Sequence, residues 1–384
     1  MPWRKGLFGS MSTDLLVIGA GVMGLGIAWR AAQRGRRVTV LERGALGREA
    51  SWAAGGMLAP SAEIEFDELE LLALGEQSQA LWPAFVAELE RDAESTVGYD
   101  TTGTLLVSAD RDEAESLRRV FDEQRSRGLE VAWLSGDACR AREPSLSPYV
   151  HSGIDCPGDH NVDNRRLLDA LARAARARGV TLREHAEVTE VRREGRRVVG
   201  VTLRDGERLD APQVLVAAGA WSRQLEGLEP VPRVRPVKGQ MLAVGREDPR
   251  APSGPLLHHV VRSTEVYLVP KDDRIVVGAT SEERGFDRTL TAGGVYELLR
   301  RAYDIFPAIY ELPLLETWVG FRPGSRDNGP IVGQGDLEGL FFATGHYRNG
   351  IQQAPLTIDG VCGQLFGDAL PGALRHFTPQ RDAG

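Results

Sequence analysis

After the first thirteen residues the chain runs into Asp14-Leu-Leu-Val-Ile18, an apolar stretch that ends at a glycine. Unbroken apolarity over so short a stretch predicts a parallel strand buried on both faces. From Val22 the pattern changes. Apolar residues recur at Val22, Leu25, Ala28, Trp29 and Ala32, the spacing of a helix, and Gly35 stops it. Residues 37–41 are apolar again and end at Glu42, which completes a βαβ opening. The same buried type of strand is predicted at 213–217 and 340–343, with a closing helix over 350–366. Between them the strands are more polar and alternating: 103–108, 131–134, 240–244, 265–269 and 274–278. Helical spacing marks 61–93, 113–127 and 164–179, and 180–201 holds short strands with a basic hairpin.

Buried parallel strands therefore stand at the start, middle and end, with alternating strands between. This predicts an α/β chain: a discontinuous, Rossmann-like nucleotide domain and an inserted α+β domain built on an antiparallel sheet. The boundaries fall at 11–60, 160–230 and 318–372 for the first domain, and at 61–159 and 231–317 for the second. Residues 1–10 form an N-terminal extension set apart from the fold.

The turn between the first strand and helix reads Gly19-Ala-Gly-Val-Met-Gly24. Gly19 permits the tight turn, Gly21 lets a pyrophosphate approach the backbone, and Gly24 allows close helix–strand packing. Free N–H groups at the helix start, including those of Val22 and Met23, favour phosphate charge. Glu42 lies where an acid accepts ribose hydroxyls, which disfavours a 2′-phosphate and hence NADP. The motif alone does not separate FAD from NAD.

Three further stretches carry candidate chemistry. In Ser51-Trp-Ala-Ala-Gly-Gly-Met-Leu-Ala-Pro60, the small residues leave room for something flat on the backbone; a packed interdomain loop is the alternative. In a strand, Trp318, Gly320 and Arg322 share a face. Gly320 then leaves space beside the guanidinium, and Arg322 can hold a carboxylate through two parallel hydrogen bonds; a surface salt bridge is the alternative. Gly345-His-Tyr-Arg-Asn-Gly-Ile351 precedes the last helix and can aim its positive end at an anion or an electron-rich ring, with Asn349 as a cap. By itself Tyr267 reads as a half-buried strand tyrosine.

Composition narrows the classes. An apolar share of 42% and a charged share of 26% are those of a globular protein with its own core. A net charge of −8 argues against nucleic acid as a partner. Three cysteines without metal spacing argue against disulfides and zinc, and fit a reducing cytoplasm. No metal site is expected. No apolar run reaches membrane-spanning length, and the first ten residues lack the apolar core of a signal peptide. His258 and His259 accompany no Gly-x-Ser-x-Gly, so hydrolase chemistry is not expected.

Taken together, these residues resemble the D-amino-acid oxidase family of FAD-dependent oxidoreductases, most of all its glycine oxidases of thiamin biosynthesis. The likeness runs from about Leu15 to Leu365. It rests on the 51–60 stretch, Pro236-Val-Lys-Gly-Gln240, Val276-Val-Gly-Ala-Thr280, Gly320-Phe-Arg-Pro-Gly324 and the 345–351 stretch, in that order. The resemblance implies non-covalent FAD, since no cysteine lies near Arg322 at the covalent position. It places Gly19, Gly21 and Gly24 at the pyrophosphate, Glu42 at the ribose, and Arg43 and Val188 near the adenosine. Gly55, Gly56 and Met57 would line the flavin, with Arg348, Asn349, Gly350 and Ile351 closing over it. Arg322 would pair with a substrate carboxylate and Tyr267 would shape the pocket, with Arg348 beside them.

The implied reaction is oxidative deamination of glycine or a similar small amino acid, to iminoacetate or glyoxylate and ammonia, with dioxygen reduced to hydrogen peroxide. Thiazole synthase is an implied partner and a homo-oligomer an implied assembly. The alternatives are a sarcosine or D-amino-acid oxidase or dehydrogenase of the same fold, and a redox-inactive FAD-binding subunit. Three positions depart from the pattern. Ser281 replaces a methionine, and Gln352 and Gln353 replace leucines, all near the expected substrate cavity. On a helix starting at Gly350, at most one of the two glutamines faces that cavity, and solvent is the other option.

Overall fold

The computed structural model describes residues 13–63, 68–248 and 254–382. The extension 1–10 lies outside the described residues.

A six-stranded sheet collects strands from four regions of the chain, in the order Ile331–Gln334, Leu340–Thr344, Gln213–Val216, Leu15–Ile18, Val38–Leu41, Thr181–Arg183. All neighbours are parallel except the edge pair Ile331–Gln334 with Leu340–Thr344. Leu15 to Ile18 are buried throughout because both faces are covered. Leu15 and Val17 join the core beneath the helices Val22–Gln33, Asn164–Ala177 and Ala354–Leu365. Leu16 and Ile18 point the other way, into a core shared with Val191, Val201 and Leu203 of a three-stranded antiparallel sheet.

The second large sheet has eight strands, in the order Leu314–Gly324, Arg235–Val244, Ile275–Gly278, Tyr267–Pro270, Val260–Arg262, Thr104–Ser108, Ser152–Cys156, Ala132–Ser135. It is antiparallel as expected, save that Val260–Arg262 runs parallel to Thr104–Ser108. Those two strands come from segments far apart in sequence, so no tight hairpin dictates their direction. The pairing that matters most joins Arg235–Val244 to Leu314–Gly324, setting Val237 opposite Arg322 and Gly239 opposite Gly320.

Two helices show where the structure departs from the sequence reading. The helix Ala292–Ile305 was not anticipated, because Gly293 and Gly294 weaken its opening turn. Gly294 has a packing reason: a Cβ there would stand 2.5 Å from Gln240 Oε1. The closing helix spans Ala354–Leu365 and does not start at 350. Pro355 is tolerated only in a first turn, so it fixes the start, and Asn349 is not the cap. Residues 350–353 form turns instead.

Candidate active site

Ile18, Leu41, Ala217 and Ala343, at or just past the carboxyl ends of four parallel strands, line one cavity of about 390 Å³. Ligands of open α/β sheets bind there, where strand order reverses about the first strand. Gly19 has φ +101°, and a Cβ on it would meet Ala217 O at 2.5 Å, so the turn requires glycine. A Cβ on Gly24 would lie 1.9 Å from Gly19 O. Gly24 therefore serves the close approach of helix to turn and is not in the cavity wall. Gly21, Val22 and Met23 are in the wall. Ser51 Oγ accepts the Val22 N–H at 3.1 Å, tying the 51–60 stretch to the helix start.

Glu42 is buried at the end of Val38–Leu41. Its carboxylate accepts N–H groups of Ala20 at 2.9 Å and Gly44 at 3.1 Å, which fixes it at the cavity wall. Arg43 and Val188 line the same cavity. Arg43 is held from two sides: its guanidinium lies 3.5 Å from the centre of the Trp221 ring, and it donates to Glu49 at 2.6 Å. Trp221 carries no motif that marks it in the sequence. Arg348, Gly350 and Ile351 also line it, whereas Asn349 is not in the wall. His346, also in the wall, is fully buried, and that burial pulls its imidazole down to about 3, so it is neutral at ordinary pH.

A second, inner cavity of about 100 Å³ adjoins the first through Ala50, Ala54, Tyr347, Arg348 and Ile351. Gly55, Gly56, Met57, Tyr267 and Arg322 line it. Gly56 has φ +79°, and a Cβ there would meet Val162 O at 2.1 Å. The Tyr267 ring fits between two glycines: a Cβ on Gly55 would come within 3.0 Å of it and one on Gly278 within 2.5 Å of its hydroxyl. Burial raises the Tyr267 phenol, with Arg322 opposing, so it stays a neutral donor.

Arg322 donates from Nη1 to Thr280 O at 3.0 Å. Among the described residues no carboxylate lies within ion-pair distance of it. The space beside its guanidinium comes from Gly239, where a Cβ would stand 2.6 Å from Nη1. The sequence reading gave that role to Gly320. In the structure Gly320 makes room for Ala53 instead, since a Cβ on it would meet Ala53 Cβ at 2.5 Å. The cross-strand pairing explains the exchange, because Gly239, opposite Gly320, is the diagonal neighbour of Arg322 on the paired strand.

A third, outer cavity of about 600 Å³ shares Glu63, Tyr267, Arg322 and Arg348 with the inner one, and Ser281 lines it. Neither Gln352 nor Gln353 lines any of the three, and neither reaches solvent. Residues 350–353 are turns, so the angular spacing of a helix does not apply to them. Gln353 is fully buried, and neither amide atom has a partner among the described residues. An unpaired buried amide costs about 1–3 kcal/mol. Gln353→Leu should therefore raise stability to chemical denaturation by roughly that amount. Unchanged or lower stability would show that the amide has a partner.

Among the described residues no helix is long and apolar enough to cross a membrane, and no group of His, Cys, Asp and Glu could hold a metal ion.

A glycine turn under a cavity at the carboxyl ends of parallel strands, joined to a small chamber lined by Arg322, is the arrangement of a dinucleotide-binding enzyme. Sequence comparison gives the class a name. The chain belongs to the FAD-dependent oxidoreductase family, whose model matches residues 14–359. It is similar to the glycine oxidase of Geobacillus kaustophilus strain HTA426, with 36% identity over 348 residues, 90% of each chain. A crystal structure of glycine oxidase from Geobacillus kaustophilus superposes with a TM-score of 0.89 at 34% identity, covering 97% of this chain and 99% of the other. A bifunctional ThiO/ThiG protein of Trichormus variabilis is 36% identical over 373 residues, 97% of this chain but 55% of that longer relative.

Proposed function

We propose that this chain is an FAD-dependent oxidase of glycine or a similarly small amino acid, forming iminoacetate or glyoxylate, ammonia and hydrogen peroxide. The observation that carries the reading is the inner cavity of about 100 Å³, room for a very small molecule, with Arg322 in its wall lacking any carboxylate partner among the described residues. The similarity to glycine oxidases at 36% identity supports the same substrate class.

The cavity at the strand ends fits FAD. At Gly21 a Cβ would meet nothing nearer than Ser51 Oγ at 3.1 Å, so a side chain there would enter space left for the cofactor. Gly19, Gly21, Val22 and Met23 would hold the pyrophosphate, Glu42 the ribose, and Arg43 and Val188 the adenosine. Gly55, Gly56, Met57, Arg348, Gly350 and Ile351 would border the flavin. Bound FAD supplies the two-electron acceptor and passes the electrons on to dioxygen. The protein's part is positional: Arg322 fixes the substrate carboxylate and Tyr267 orients it with a neutral hydroxyl. We assign the FAD-binding and substrate-binding roles to the two interleaved domains outlined from the sequence. A link to thiazole synthase is supported by the ThiO/ThiG relative, and three buried free thiols support a reducing compartment such as the cytoplasm.

The purified protein should be yellow and should release its flavin into the supernatant on acid precipitation, because no cysteine stands at the covalent position. Peroxide release on glycine, sarcosine, D-alanine and a polar D-amino acid should favour the first two. Flavin retained in the pellet would overturn non-covalent binding. A preference for the polar D-amino acid would overturn the substrate assignment and leave the family intact.

A further inference from the structure

Besides Arg322 and Arg348, the inner cavity carries a carboxylate that no sequence motif marked. Glu63 lines both the inner and the outer cavity, together with Arg322 and Tyr267. Its carboxylate is mostly buried. Its cation partner, Arg262 at 2.5 Å, lines the outer cavity and not the inner one. Arg322 and Glu63 act on the Tyr267 hydroxyl in opposite senses.

The turn that presents Glu63 is built firmly. Asp159, itself buried, accepts the N–H groups of Ser61 at 3.1 Å and Ala62 at 2.6 Å. Gln124 donates to Ser61 O at 2.8 Å, and the Glu63 N–H bonds Ala59 O at 3.0 Å. A carboxylate fixed in this way is not a solvated surface group that happens to lie nearby.

A chamber of about 100 Å³ with guanidinium groups and a carboxylate in its wall is complementary to a zwitterion. We propose that Glu63 recognises the amino group of the substrate while Arg322 takes the carboxylate. Arg262 acts as a positioning residue, holding Glu63 from the outer side and offsetting its charge. The inference rests on the reading of this cavity as an amino-acid site and adds the group that selects amines over other small carboxylates. An unpaired carboxylate beside Arg322 would repel the substrate's own carboxylate, which gives Arg262 its purpose.

Glu63→Gln keeps the shape and removes the charge. In the FAD-loaded enzyme it should lower kcat/KM for glycine about tenfold to a hundredfold through KM, the range for losing a hydrogen bond to a charged group. Acetate has the carboxylate and lacks the amine. Its binding, followed by flavin absorbance, should be unchanged or tighter in Glu63→Gln. Arg262→Met should weaken acetate severalfold, and adding Glu63→Gln to it should restore acetate binding. Equal weakening of glycine and acetate by Glu63→Gln would overturn the proposal, as would unchanged kcat/KM for glycine. A wild-type holoenzyme that neither turns over nor shifts its spectrum with any amino acid overturns the functional reading and this inference with it.

Discussion

Gly21→Val is expected to give a folded, colourless protein. Gly21 has φ −77° and ψ −175°, an extended backbone that valine adopts readily. A Cβ there would meet only Ser51 Oγ, at 3.1 Å, so the interior would not be overpacked. The valine side chain would instead stand in the cavity wall at the helix start, between the backbone N–H groups and the pyrophosphate. The loss should be near complete, because phosphate binding at a helix N-terminus depends on close approach. Gly24→Val is the informative contrast. Its Cβ would fall 1.9 Å from Gly19 O, so that variant should fail to fold. Flavin absorbance per protein and circular dichroism on both variants separate the two effects. Full flavin in folded Gly21→Val would mean that the phosphates lie elsewhere.

This contrast also shows what the sequence made legible. The opening βαβ unit was readable because its determinants are local: a short apolar run, a helical period, glycines at fixed spacing and an acid at the next strand's end. The roles of Gly19 and Gly24 followed from the same local geometry. Arg322 was readable as a candidate from its strand phase, but the glycine that makes room for it was not. Gly239 faces the guanidinium only because two strands distant in sequence pair in one particular register. Glu63 was unreadable for a similar reason. Its partner Arg262 and its anchor Asp159 are brought to it by the assembly of the second sheet, and no spacing rule connects them. That at most one of Gln352 and Gln353 faces the cavity holds, since neither lines it, but its helical basis and the solvent alternative fail at the helix start. Pro355 was the available signal, and without it the angular argument was applied to residues that are not helical.

Arg322→Ala should lower kcat/KM for the amino-acid substrate at least about tenfold while leaving FAD bound, since a hydrogen bond between charged groups contributes about 1.5–3 kcal/mol. The loss should be larger if closure around the substrate dries the chamber, because water no longer screens the missing charge. The structure limits how much of any loss can be blamed on folding. Arg322 donates to Thr280 O and has no carboxylate partner among the described residues, so its removal breaks no ion pair among them. It leaves Thr280 O with one partner fewer, a modest effect on stability. Arg322→Lys sharpens the test. Lysine keeps the charge but offers a point donor in place of a planar fork, and the space that Gly239 leaves is shaped for the fork. The lysine variant should recover part of the activity, with the remaining deficit in KM. Steady-state peroxide release, with flavin content measured on the same samples, decides the matter. If Arg322→Ala retains wild-type kcat/KM and only melts earlier, Arg322 is a strut between two strands, and the substrate carboxylate must be held by another cation.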